Sequence, residues 1–167
     1  AHIRRILMTR ETAPAMTAPS RLRSTPSEPT ISIVIPTRDQ LALLIACLDG
    51  LLHSTRYPSF EIIIVDHESS RRTRDFYKKL ADDPSIRILP VSGPFNFSAM
   101  CNAAAAMARG ACLVFLNNDV EIVEPDWLRN LAELAMRPNA GAVGARLLFP
   151  SGAIQHAGVT VGMGGYA

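Results

Sequence analysis

Glycine-rich phosphate cradles are missing from this chain. No GxGxxG follows its first strand-like segment and no GxxxxGK[ST] occurs anywhere, which disfavours a dinucleotide dehydrogenase or a P-loop enzyme. The glycines that do cluster, Gly162, Gly164 and Gly165, fall at the very end. Cysteine is scarce. Cys47, Cys101 and Cys112 lie in apolar or helical stretches and form no CxxC pair, so neither a zinc site nor a disulfide framework is supported. Small buried hydrophobes in a reducing compartment are the simpler reading. No run of ~18 apolar residues offers a transmembrane helix, and the apolar stretch after Arg4-Arg5 is too short for a signal peptide. An excess of one charge is lacking too. Seventeen basic and fifteen acidic residues are interspersed to a net charge of +2, which gives no bulk-charge argument for nucleic acid. The one local basic run, Arg71-Arg72-Thr73-Arg74, reads either as a solvated helix start or as a docking site for phosphate or anionic lipid.

What is present is the composition of a globular domain. Over 167 residues, 48% are hydrophobic and 19% charged, enough for one ordinary core and too apolar for a disordered chain. The first residue is not Met, which suggests a trimmed chain or an excised domain. Residues 9–30 hold Pro14, Pro19, Pro26 and Pro29 among Ser, Thr and Ala, so residues 1–30 read as an extension or linker. The folded part, 31–167, is expected to start at Ile31.

From there apolar strands and helical patterns alternate. Ile31–Ile35 is a β-branched run ending at Pro36. Leu41, Leu44, Ile45, Leu48 and Leu52 are spaced for one helical face, with Asp39 as its expected N-cap. Ile62–Val65 is continuously apolar, as a strand covered on both faces should be. A polar helix around 74–81, a strand at 86–89 and an Ala-rich helix at 98–109 come next, the last stopped by Gly110. A fourth strand spans 113–116, a helix opens at Pro125-Asp126-Trp127-Leu128 and runs to about Met136, and strand-like segments lie near 142–147 and 154–161. This order predicts an α/β fold with a mostly parallel sheet flanked by helices, whose ligand sits beyond the carboxyl ends of the strands.

Polar groups collect at those ends: Pro36-Thr37-Arg38-Asp39, Asp66-His67-Glu68-Ser69-Ser70, Ser92–Phe97 and Asn117-Asn118-Asp119. Loops alone can produce such a rim, because Asp, Asn and Ser are common after strands. Asp119 either holds a divalent cation, which would neutralise a leaving diphosphate, or serves as a cap or turn residue before Val120. Asp66 either accepts a hydrogen bond from a nucleobase N–H or closes a turn with Ser69 and Ser70. Asp39 reads as a helix cap. The aromatics flanking Asn96 line a pocket or pack in the core, and His2, His53 and His67 fit surface or packed roles.

Several of these segments, in this order and spacing, resemble glycosyltransferase family 2, inverting enzymes with the GT-A nucleotide-diphospho-sugar transferase fold. They are Ile33-Val34-Ile35-Pro36-Thr37, Ile63-Ile64-Val65-Asp66, Gly93–Ser98 with Asn102, Leu116-Asn117-Asn118-Asp119-Val120 and Pro125-Asp126-Trp127-Leu128. Gly141–Ala145 with Ile154–Gly158 is similar to the branch that builds bacterial surface polysaccharides. The resemblance runs from Ile31 to about Gly165. It implies that Pro36, Thr37 and Asp66 contact the nucleoside, Asp66 at the base, with Asn96, Asn102 and Asn118 also binding the nucleotide-sugar. Asn117-Asn118-Asp119 stands at the family's D-x-D position, which makes Asp119 the ligand of Mg²⁺ or Mn²⁺. Only the last acid of that signature is present, His67-Glu68-Ser69-Ser70 replaces a more usual Gly-Ser-Thr loop, and Cys101 stands where many members have Arg.

The implied activity is inverting transfer from a nucleotide-diphosphate sugar to a surface-polysaccharide or lipid-linked glycan acceptor. The expected setting is the cytoplasm, at the cytoplasmic face of the inner membrane, with peripheral membrane association through missing parts and no nucleic acid partner. The general base is expected beyond Ala167, so a non-catalytic nucleotide-sugar-binding module is the alternative. A phosphoreceiver domain also places Asp at strand ends, but Pro36-Thr37-Arg38 stands where its acidic pair belongs.

Overall fold

A computed structural model of the chain describes residues 4–6, 28–138 and 140–158. The central sheet is built from four strands: β2 (Ile31–Thr37), β3 (Phe60–His67), β4 (Ile86–Val91) and β5 (Cys112–Phe115). They lie in the order β4-β3-β2-β5, and every neighbouring pair is parallel. The connections carry helices α1 (Leu41–Asp49), continued by a π-helical turn at Gly50–Ser54, α2 (Arg71–Leu80) and α3 (Phe97–Met107). A second, mixed sheet in the order β6-β1-β7-β8 uses β1 (Arg4–Ile6), β6 (Val120–Ile122), β7 (Leu147–Leu148) and β8 (Ile154–His156), with α4 (Trp127–Ala135) between β6 and β7.

Apolar continuity in β2 and β3 has the cause the sequence suggests. Ile33, Ile35, Ile62 and Ile64 join the core that includes Leu44 and Leu48 of α1, Tyr77 of α2 and Trp127 and Leu128 of α4. Val34, Ile63 and Val65 face the other way, onto Met100 and Ala104 of α3. Both faces are therefore dry. Each fully buried branched side chain contributes roughly 1.5–3 kcal/mol of burial free energy. Pro36 sits near the end of a central strand, past the last β2–β5 pair at Val34 and Phe115, where a missing N–H costs least.

Four local expectations are corrected. The buried stripe of α1 and its π turn is Leu44, Cys47, Leu48 and Leu51, while Ile45 is 43% exposed, because a helix turning by about 100° per residue carries Ile45 off that face. Asp39 does not cap α1. The N-cap is Gln40, and the Asp39 carboxylate reaches across to α2 instead. Gly110 does not end α3 in a left-handed cap: the helix stops at Met107, and the glycine allows a close approach. A Cβ at position 110 would stand 2.5 Å from the Ser32 nitrogen. Finally, Arg4–Ile6 is not linker, since it pairs in parallel with β6 and antiparallel with β7. Residues 7–27, the terminal glycine cluster and the end of the expected strand at 154–161 lie outside the described residues.

Below the sheet, a buried polar knot fastens α3. Glu61 accepts from Ser32 Oγ at 2.6 Å, the Arg109 N–H at 2.7 Å and Arg87 Nη2 at 2.7 Å. Gly110 N–H donates to Ser32 Oγ at 2.8 Å, and Arg87 also donates to the Met107 carbonyl at 2.8 Å. Burial opposes ionisation of Glu61, but these donors outweigh it and hold the carboxyl below its ordinary range. This knot joins the amino end of the sheet to the carboxyl end of α3, so the opposite, carboxyl-end rim is held in fixed register.

Candidate functional site

Three strand ends meet at that rim. The β2–β3 register sets Thr37 beside Asp66, and Asn118, just past β5, donates from Nδ2 to Thr37 Oγ1 at 2.7 Å. Thr37, Asp66 and Asn118 are thus brought into one row, with Asp119 the next residue along. Thr37 and Asp66 are buried, and Pro36, Asn118 and Asp119 are half-buried.

Asp66 is anchored from inside. Tyr77 Oη donates to Oδ1 at 2.8 Å, and the Ser69 N–H approaches Oδ2 at 3.4 Å. Burial raises the Tyr77 phenol above its ordinary range, and the Asp66 carboxylate raises it further, so the phenol stays a donor. A carboxylate has about four acceptor sites, and the weak contact on Oδ2 leaves acceptor capacity there.

Asp119 leads directly into β6, and a strand at that point excludes a helix-capping role. It borders a hollow of about 370 Å³ with Asp49, Ser54 and Glu121, and Asp66 is not on that hollow's wall. The two aspartates share a rim rather than a pocket, because β2 separates their strands and Tyr77 holds Asp66 inward. Cys47, buried beneath and 3.8 Å from the Asn117 carbonyl, has its thiol pushed up to about 12, chiefly by burial and further by the Asp119 charge.

The β4–α3 loop closes the other side. Asn96 caps α3, its Oδ1 accepting from the Ala99 N–H at 2.9 Å, which leaves its amide N–H groups to face outward on an exposed residue. Asn102 is exposed on α3, six residues and about 9 Å of helix rise further from the rim. The structure gives it no place beside Thr37 and Asp66.

Two relationships escaped the sequence reading. His67 is buried, and its Nε2 lies 2.9 Å from the Gly93 carbonyl, an acceptor, so that nitrogen carries the proton. Its ring meets Phe95 edge-on at 5.5 Å, while Glu68 accepts from the Gly93 N–H at 3.2 Å. The loops after β3 and β4 are thereby tied together. Asp39 does the same for the loops after β2 and β3. Its Oδ1 accepts from the Ser70 N–H at 2.9 Å and Thr73 Oγ1 at 3.0 Å, and its own N–H donates to Ser69 Oγ at 2.8 Å. Donors from Ser70 first, then Thr73, hold the Asp39 carboxyl below its ordinary range. The positive φ of Asp39 (55°) and Gln40 (51°) accompanies that reach, and no spacing rule reveals it.

A divalent cation fits this rim only in one way. Among the described residues no three His, Cys, Asp or Glu side chains converge on a metal site. Asp119 supplies one hard oxygen donor, and Mg²⁺ commonly takes one or two carboxylates with water and substrate phosphates completing its shell. The donor set therefore suits a cation that arrives with, or is completed by, a diphosphate.

Comparison with known proteins gives the class. The profile of Glycosyl transferase family 2 matches residues 32–156. The chain is 47% identical over 139 residues to the O-antigen biosynthesis protein RfbC of Myxococcus xanthus, covering 83% of this chain and 11% of that protein. It is 45% identical over 141 residues to the uncharacterized protein y4gI of Sinorhizobium fredii, covering 83% of this chain and 16% of that one. Among solved structures, the mannosyltransferase PcManGT from Pyrobaculum calidifontis, in complex with GDP-Man and Mn²⁺, superimposes with a TM-score of 0.60 at 22% identity, over 76% of this chain and 37% of that one. The fold is that of the GT-A glycosyltransferases. The chain belongs to glycosyl transferase family 2, and it spans well under a fifth of the curated relatives it matches first.

Proposed function

We propose that this chain is the donor-binding part of an inverting glycosyltransferase that moves a sugar from a nucleotide-diphosphate sugar to a surface-polysaccharide or lipid-linked glycan. The observation that carries the proposal is the row Asp66–Thr37–Asn118, continued by Asp119, across three adjacent strand ends. In α/β sheets ligands bind beyond such ends, and RfbC is an O-antigen biosynthesis protein.

Pro36 and Thr37 border the nucleoside, and Asp66 accepts from the base through Oδ2, steadied by Tyr77. Asn118 and the outward amide of Asn96 donate to ribose or diphosphate oxygens. Asp119 would hold Mg²⁺ or Mn²⁺, which would supply charge neutralisation for a departing diphosphate. An acidic residue of the family's acceptor-side segment takes the proton of the acceptor hydroxyl as its oxygen bonds to the anomeric carbon. The carbon–oxygen bond to the diphosphate breaks with the electron pair leaving on that oxygen. We assign the reaction to the cytoplasmic face of the inner membrane; the free thiols of Cys47, Cys101 and Cys112 support the reducing compartment in that assignment.

Calorimetric titration of the intact protein with GDP-, UDP- and dTDP-sugars, with and without Mn²⁺, tests the donor half. Saturable binding of one donor, strengthened by Mn²⁺, is expected. No binding of any of them would reject it. The anomeric configuration of the product, read by NMR, decides inversion.

A further inference from the structure

We propose that the outer face of α2 docks this domain on an anionic membrane surface. Ten residues of α2 carry Arg71, Arg72, Arg74, Lys78 and Lys79 against the single acid Asp75. All five basic side chains are exposed, while Thr73 and Tyr77 are buried and Phe76 and Leu80 half-buried. At about 100° per residue the five bases fall within one half of the helix circumference and the apolar residues within the other. This is a sorted face, not a scatter of charge.

The charge is also concentrated. Five of the chain's seventeen basic residues but one of its fifteen acids lie in these ten positions, so the remainder has two more acids than bases. Internal pairing leaves the excess in place. Asp75 serves both Arg71, at 3.6 Å, and Lys78, at 2.6 Å, and Arg74 is turned onto the Ser69 carbonyl. Arg71 and Lys78 remain 91% and 78% exposed, where such pairs are weak. Arg72 and Lys79 complete a face of net charge four.

The partner that matches is a plane of anionic headgroups. Roughly four to eight Lys or Arg on one amphipathic helix is the pattern attracted to acidic lipid. A duplex nucleic acid would be gripped through roughly six to ten phosphates, more than this ten-residue face offers, and the net acidity of the remaining chain would oppose it. A bilayer needs to meet only one face. Asp39 gives the contact a consequence: by fastening Ser70 and Thr73 at the start of α2 to the turn after β2, it fixes this face relative to the strand-end rim. Docking α2 would set that rim beside the bilayer. The proposal does not depend on which donor binds there.

Flotation of the intact protein with phosphatidylglycerol-containing vesicles, against pure phosphatidylcholine vesicles, is the test. Binding to the anionic vesicles alone, lost in high salt, is expected. R71E/R72E/K79E should lower the partition by about tenfold or more, the milder R72Q/K79Q should lower it less, and R109E/R137E, on other surfaces, should leave it unchanged. Far-UV circular dichroism and donor titration of each variant should match the parent, which separates this result from any failure of the donor-site reading. Equal binding to neutral vesicles, undiminished binding by both α2 variants, or binding to a single-stranded DNA oligonucleotide in preference to vesicles would overturn the proposal.

Discussion

Asn118 and Thr37, 81 positions apart in sequence, are joined by a 2.7 Å hydrogen bond from the Asn118 amide to the Thr37 hydroxyl. This bond spans the gap left where β5 stops pairing with β2 at Phe115. It holds the Asn117–Asp119 turn against the rim at the point where backbone pairing no longer can. Asn118→Ala should therefore weaken donor binding by loosening Asp119 as well as by losing its own contacts. Calorimetry should show roughly a tenfold loss, in line with one or two hydrogen bonds, and Asn118→Ser should recover part of it.

Asp119→Ala is expected to cut transfer by the intact enzyme by about 100-fold or more, the scale of losing electrostatic stabilisation of a leaving group. The dependence of activity on Mn²⁺ concentration should shift upward or vanish. Retention of parental activity with unchanged metal dependence would remove Asp119 from the proposed role.

Much of this architecture was legible beforehand, and the reason is physical. The two central strands, β2 and β3, are buried on both faces, so Ile33–Ile35 and Ile62–Val65 appear as unbroken apolar runs, and the helices between the strands carry their own periodicity. The polar strand ends were visible for the same reason, as interruptions of those runs. What was hidden depends on contacts distant in sequence. Nothing local tells that Asp39 fastens the start of α2 rather than capping α1, or that Gly110 is needed because Ser32 lies under it. Arg4–Ile6 is too short to signal a strand without the partners β6 and β7 on either side. Asp66 was legible as a buried rim carboxylate, but its tether to Tyr77 was not, because a Tyr eleven residues on reads equally well as core.

Tyr77→Phe removes the donor to Asp66 Oδ1 while keeping the ring in the core. A buried hydrogen bond to a charged group is worth about 1.5–3 kcal/mol, so chemical denaturation should show a loss in that range with an unchanged slope. Because Asp66 would then turn more freely, donor affinity should fall as well. A variant as stable as the parent would mean that water replaces the phenol.

Asp39→Ala should lower the melting temperature by freeing the start of α2 from the turn after β2, whereas Asp39→Asn should stay near the parent. The Asn side-chain oxygen accepts the same Ser70 and Thr73 donors and tolerates the left-handed backbone at this position. Equal melting of the Ala and parent proteins would show that the cross-loop tether adds nothing.

Glu61 gives the sharpest pH prediction. Its folded pKa lies below the ordinary glutamate value of 4.5, so the fold favours the ionised form. The stabilisation is fully present above the unfolded value and is lost as pH falls through the lower folded one. Acid denaturation midpoints should reveal this as a steep limb below about pH 4.5 that flattens in Glu61→Gln. Glu61→Ala should be worse at neutral pH, by about 3–5 kcal/mol, because the Arg87 guanidinium keeps its burial and loses its counter-charge. Replacing Arg87 by Met in the same protein should then restore part of the loss. The pair matters less for its own attraction than for what each partner suffers alone, so a double variant no better than Glu61→Ala would break that account of the knot.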